Sequence, residues 1–207
     1  MKLYDTLVLP HLVDWACGLG AITEQRERIV PRARGRVLEL GMGSGRNLPL
    51  YDADEVEVVW GVDPSPELYR MAAERAADLP VKVRFFVRPA DEPGLALAED
   101  SVDTLVVTYA LCTIPDPVAA LVEARRTLTS DAVLLFAEHG RSPDPAVRRW
   151  QERLTPMWRR VNGGCRLDRD PLAILASAGF RVRELDTGYL AGWKPAAWHY
   201  LGVAVPA

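Results

Sequence analysis

Val37-Leu38-Glu39-Leu40-Gly41-Met42-Gly43-Ser44-Gly45 is an apolar run that stops abruptly at a glycine, with two more glycines at alternate positions after it. A short run of this kind reads as a buried strand, and glycines directly behind it let the backbone turn tightly and let another molecule approach without meeting a β-carbon. The next apolar run, Val56-Glu57-Val58-Val59-Trp60-Gly61-Val62, ends at Asp63, 20 positions beyond Gly43. A carboxylate at that place can accept hydrogen bonds from a ribose diol, so loop and carboxylate together predict a nucleoside site.

Outward from this pair the same rhythm continues. Further β-branched or aromatic runs lie at Val81 to Val87, Thr104 to Thr108 and Ala132 to Phe136, with helical patterns between most of them. Strands alternating with helices imply parallel βαβ units and a doubly wound α/β sheet. Ser65-Pro66, Asp116-Pro117, Asp144-Pro145 and Asp170-Pro171 each set a capping side chain before a proline suited to the first helical position. A short helical stretch ending near Pro49 is expected after the glycine loop, and Gly179 marks the end of the last helix. Beyond it, Phe180 to Leu185 and Trp198 to Val205 predict two closing strands with an antiparallel addition at the sheet edge, seven strands in all. Before the sheet, two helices are expected, around Leu7 to Trp15 and from Ile22 to Val30, as a cover over the ligand side.

With 207 residues, 49% of them hydrophobic and 26% charged, the chain suits one globular domain over 1–207, with a helical cover over 1–34 and a helical insertion over 140–170. A net charge of -3 gives no basic excess for neutralising phosphates, so no nucleic-acid partner is expected. Three scattered cysteines, Cys17, Cys112 and Cys165, signal neither a disulfide framework nor a zinc site, and a reducing cytoplasm and no bound metal are expected. Pro10, His11, Asp14 and Gly18 interrupt the apolar N-terminal stretch, which reads as neither a cleavable signal nor a spanning helix.

Two cofactor classes compete for the glycine loop. A dinucleotide calls for the spacing G-x-G-x-x-G and a helix N-terminus facing its pyrophosphate, whereas the spacing here is G-x-G-x-G. Glu39 would repel a pyrophosphate but attract an ammonium group, which favours S-adenosylmethionine. At this point the chain resembles the class I S-adenosylmethionine-dependent methyltransferases, from Tyr4-Asp5 to Val205. It is most similar to bacterial relatives of the UbiE-like quinone-biosynthesis and alkyl thiol methyltransferases. The residues carrying the likeness are Val37 to Leu48, Gly61 to Leu68, Leu111-Cys112-Thr113-Ile114-Pro115-Asp116 and Glu138-His139-Gly140-Arg141.

The resemblance implies that Glu39, Gly41, Gly43 and Asn47 line the methionine end, that Asp63 holds the ribose hydroxyls and that Pro64 or Ser65 borders the adenine. It further places Ala90 and Asp91 near the adenine amino group, and Tyr109 and Ala110 beside the sulfonium, where an aromatic face favours positive charge. Two stretches depart from the family pattern: Arg88 to Gly94 follows its A-E-x-L-P only in part, and Thr129-Ser130-Asp131 replaces its K-P-G-G turn.

Methyl transfer from a sulfonium needs alignment more than a fixed catalytic set. A thiol or phenol acceptor must lose a proton, and His139, after the fifth strand, is the general-base candidate, with packing at the strand end as the alternative. Glu138 is expected to orient His139 or to satisfy a loop. Cys112 reads as a packing residue, Cys165 is ambiguous beside Gly163-Gly164, and His11 and His199 lack metal-ligand companions. Val147, Trp150, Leu154 and Trp158 form an apolar stripe interrupted by Pro156, with arginines on the other face. That face suggests either a solvated helix or a peripheral membrane contact reaching a lipid headgroup or quinone.

The expected acceptor is a small, rather apolar thiol or quinone-like phenol. The alternatives are a phospholipid amine at a membrane surface, a non-catalytic cofactor-binding regulatory module, and hydride transfer.

Overall fold

In the computed structural model, which describes residues 2–207, three helices precede the sheet: α1 (Lys2–Leu7), α2 (Leu9–Cys17) and α3 (Gly20–Ile29). The chain continues through β1 (Gly35–Leu40), β2 (Val56–Asp63), α4 (Pro66–Ala76), β3 (Val83–Val87), β4 (Val102–Thr108), α5 (Pro117–Thr127) and β5 (Leu128–His139). It ends with α6 (Pro145–Val161), α7 (Pro171–Ser177), β6 (Phe180–Tyr189) and β7 (Trp198–Pro206). The strands make one seven-stranded sheet in the order β3-β2-β1-β4-β5-β7-β6. The first five pair in parallel, and β7 runs antiparallel to both of its neighbours.

The two closing strands extend the sheet at the β5 edge as expected, and within that addition the last strand, β7, is inserted between β5 and β6. The burial of the two strands accounts for this. His199 to Val205 are buried without a break, as a strand covered on every side must be, while β6 exposes Arg181, Glu184 and Asp186 to water along the sheet's edge.

Alternation along each central strand fills two cores. Leu38, Leu40, Leu105, Val107, Leu134 and Phe136 face α5 and α7, whereas Val37, Val106, Leu135 and Ala137 face α3 and α4. Each fully buried Leu or Val contributes about 1.5–3 kcal/mol of transfer free energy, so this double layer dominates the stability. All four predicted caps are made: Ser65 accepts from Leu68 N at 3.2 Å, Asp116 from Ala119 N at 3.0 Å, Asp144 from Ala146 N at 2.8 Å and Asp170 from Leu172 N at 3.1 Å.

Three local expectations are corrected. The cover has three helices, because Pro10 lacks an N–H and its ring crowds the carbonyl four residues back, which separates α1 from α2. The segment after the glycine loop forms turns and a short 3-10 turn over Leu48–Leu50 that contains Pro49, so no α-helix begins at the loop. Helix α6 runs through Pro156 without a break, and the nearby Gln151 carbonyl takes the Thr155 hydroxyl at 2.7 Å.

Candidate active site

The glycine loop leaves β1 and the chain leaves β4 at adjacent positions of the sheet but toward opposite flanks, since β2 and β3 lie on one side and β5 on the other. At such a switch point the ends of neighbouring strands part and leave a crevice. A cleft of about 420 Å³ occupies it, within the range of roughly 300–1,000 Å³ usual for ligand pockets.

On one side the cleft is polar. Gly41 has φ 67°, and a β-carbon there would stand 2.4 Å from that of Ala110, so both backbone and space require glycine. Gly43 has φ 57° and nothing nearer than 3.9 Å to the place of a β-carbon, which leaves an open cradle on the cleft wall. Asp63 accepts the Gly43 N–H at 3.0 Å through Oδ2 and the Ser65 N–H at 2.9 Å through Oδ1. Burial raises its pKa and these two bonds oppose the rise, while each oxygen keeps a lone pair for a ligand. Pro64, Ser65, Ala90 and Asp91 line the same side, and Asp91 also accepts the Asp116 N–H at 3.0 Å.

Behind the loop lies a buried polar chain. Glu39 is only 1% exposed and does not border the cleft: its Oε2 takes the Tyr51 hydroxyl at 2.6 Å and its Oε1 the Asn47 amide at 2.9 Å. Burial raises the Glu39 carboxyl to about 7 against the bonds from Tyr51 and Asn47 and the charge of Arg26. Asn47, also absent from the wall, accepts from Arg26 Nη1 at 2.9 Å and donates to Thr108 Oγ1 at 2.9 Å. Neither residue therefore lines the cleft, although the resemblance assigns both to the methionine end. Arg26 itself reaches the wall, donates to Thr108, and lies 4.9 Å from the centre of the Tyr109 ring. Arg26 therefore occupies one face of the Tyr109 ring.

Sequence reading missed Arg26. Its signal was helical spacing: Ile22, Arg26 and Ile29 share one face of α3, where a charge among apolar residues marks a buried position.

Helix α2 closes the other side with Leu9, Pro10, Val13 and Cys17. Asp14 fastens it. Its carboxylate accepts from Ser44 Oγ at 2.5 Å, from Arg46 at 2.9 and 2.7 Å and from Arg75 at 2.9 Å. Desolvation would raise the Asp14 pKa, but these bonds outweigh it and hold it at about 2.

Tyr109 and Ala110 line the cleft beyond β4, with Tyr109 at φ 55° in the left-handed region. Glu138 satisfies this turn rather than a histidine, accepting Ala110 N at 2.7 Å and Leu111 N at 3.0 Å. His139 does not border the cleft. Its Nε2 lies 3.3 Å from Cys165 Sγ, and the fold brings Cys112 to the same place. That geometry does not support the expected base role toward a ligand in the cleft. Linear spacing could not reveal the cluster, because its members sit on separate elements, His139 and Cys165 being 26 positions apart. His199 is buried, with Nδ1 2.9 Å from the Ala197 carbonyl, and His11 is exposed.

A glycine-rich turn and a strand-end carboxylate meeting over the switch point of such a sheet define an enzyme built around a nucleoside cofactor. The comparisons narrow the class. A family profile described as "Methyltransferase domain" matches residues 38–136. Thiol S-methyltransferase TMT1B of Homo sapiens is 32% identical over 180 residues, covering 84% of this chain and 72% of its own length. The Rattus norvegicus protein of that name is 30% identical over 169 residues, and the chain spans 66% of that protein's length and matches with 81% of its own. Among solved structures, a geranyl diphosphate methyltransferase in complex with S-adenosylmethionine superposes with a TM-score of 0.69 at 12% identity, covering 92% of each chain. The chain belongs to the class I S-adenosylmethionine-dependent methyltransferases.

Proposed function

We propose that this methyltransferase moves the methyl group to the sulfur of a small, rather apolar thiol. The apolar part of the cleft lining carries the reading, to which Leu9 and Val13 of α2 and Ile114 and Pro115 beyond β4 all contribute. The names of the two mammalian relatives add the thiol.

The residues present suit the cofactor. The open cradle at Gly43 admits a ligand against the backbone, the spare lone pairs of Asp63 suit a ribose diol, and Arg26 suits a carboxylate at the methionine end. Pro64 and Ser65 would border the base, with Ala90 and Asp91 beside its amino group. When bound, the cofactor supplies an electrophilic methyl group on sulfur. The protein's share is to align the acceptor and exclude water, with α2 and the turn at Tyr109 and Ala110 both lining the cleft.

Apart from the two aspartates on the cofactor side, the described lining contains no carboxylate and no imidazole to take a thiol proton. Turnover is therefore expected to rise about tenfold per pH unit below the acceptor's own pKa, which is about 8.5 for a simple thiol. A plateau at neutral pH would reveal a base in the protein.

Calorimetry with S-adenosylhomocysteine, contrasted with NADH, tests the cofactor side. Asp63→Ala should weaken the former roughly tenfold or more through lost charge-assisted hydrogen bonds. The acceptor is tested by product analysis with an alkyl thiol, a quinol and phosphatidylethanolamine vesicles. A methyl thioether is expected from the first alone. Methylation of only the quinol or the lipid would overturn the thiol reading, and cofactor binding without any product would favour a regulatory module.

A further inference from the structure

Cys112, His139 and Cys165 have no part in the cleft. Each offers one ligand atom, and the three atoms lie within 4.8 Å of one another. Cys112 is buried in the turn after β4, His139 is the last residue of β5, and Cys165 belongs to the segment between α6 and α7. We infer that these three side chains form a binding site for a thiophilic divalent cation, with Zn²⁺ as the fitting ion.

Geometry supports this first. A tetrahedral zinc with Zn–S of about 2.3 Å and Zn–N of about 2.0–2.1 Å sets sulfur–nitrogen edges near 3.5 Å and sulfur–sulfur edges near 3.8 Å. The 3.3 Å between His139 Nε2 and Cys165 Sγ, and the 4.8 Å limit on the other two edges, bracket those lengths. The ligand set supports it next: two thiols and an imidazole suit zinc rather than magnesium or calcium, and three protein ligands leave a fourth position open.

The surroundings are built to hold the ligands in place. Arg166 N donates to the Cys112 carbonyl at 2.9 Å, and the Arg169 guanidinium donates to the carbonyls of Leu111, Ile114 (2.6 Å) and Pro115 (3.0 Å). These bonds tie the segment carrying Cys165 to the turn carrying Cys112. Thr113 Oγ1 lies 3.7 Å from Cys112 Sγ. The His139 Nδ1 is buried without a partner, so Nε2 alone is committed, and it faces the Cys165 sulfur. Occupied, the site would staple the segment between α6 and α7 to the carboxyl end of the sheet.

The whole chain, purified under reducing conditions and stripped with a chelator, is titrated with Zn²⁺ against a chromophoric competitor and, separately, with Co²⁺. One equivalent should bind, Co²⁺ should give thiolate charge-transfer and four-coordinate visible bands, and Zn²⁺ should raise the melting temperature. Cys165→Ser and His139→Gln, each checked for native circular dichroism, should bind at least about a hundredfold more weakly and lose the shift. Zn²⁺ uptake by the native chain no tighter than by a Cys112→Ser/Cys165→Ser double variant would overturn the assignment. So would a Cys112–Cys165 disulfide in the isolated protein that, once reduced, takes up no metal. No methyl acceptor enters the assay, so its outcome is independent of the thiol reading.

Discussion

Burial holds the Glu39 carboxyl at about 7, against 4.5 for the free side chain, with the Tyr51 and Asn47 hydrogen bonds and the Arg26 charge limiting the rise. Because the folded state keeps this proton longer than the unfolded chain, the residue favours folding most below pH 4.5, and that contribution is lost as the pH rises through about 7. Glu39→Gln should abolish this part of the pH slope, worth on the order of 3 kcal/mol, since the Tyr51 hydroxyl can turn to accept from the new amide. Denaturant unfolding at pH 5 and pH 8 measures it, and an unchanged slope in the variant would remove Glu39 as its source. Asp63 was legible in the sequence because the end of a strand fixes where a carboxylate must emerge. Glu39 was legible only as a carboxylate near the loop. Its inward direction depends on Tyr51 and Asn47, which reach it only once the chain has folded back.

Helix α2 illustrates what an element's neighbours add to its own sequence. Asp14→Asn should weaken the tie to Ser44, Arg46 and Arg75 by roughly 1–3 kcal/mol. Hydrogen exchange should then show faster opening of α2 while β1 and β4 keep their protection, and uniform loss of protection would mean that Asp14 supports the whole fold instead. The pH window is opposite to that of Glu39. The Asp14 contribution is present above pH 3.8 and is lost as the pH falls through about 2. Strands and capped helices were readable because β-branched runs and Asp-Pro or Ser-Pro pairs act locally. The break at Pro10 was readable in principle, since proline removes a donor wherever it stands. The turns after the glycine loop were not, because Leu48 is buried by packing against distant parts of the sheet.

At the scale of the molecule, strand order was the least legible feature. Both closing strands announced themselves, but their order depends on which can bear an open edge, and only the contrast between charged β6 and apolar β7 carried that information. Gly202 secures the arrangement: a β-carbon there would come within 2.1 Å of the Glu184 carbonyl and 2.8 Å of the Phe136 ring. Gly202→Ala should therefore destabilise the protein by about 2 kcal/mol or more, because a backbone carbonyl cannot step aside as a flexible side chain can. Thermal unfolding measures it, and a neutral outcome would mean that β6 can shift outward freely. The packing of α3 against β5 and β7 has a consequence for the order of synthesis. Every residue of the cleft, up to Gly163, leaves the ribosome before β7 does, yet the helix that presents Arg26 has no complete seat until β7 is in place. A nascent chain that has emerged only through α7 would carry all the parts of the cleft and still fail to retain cofactor, so cofactor capture would report that the last strand has arrived.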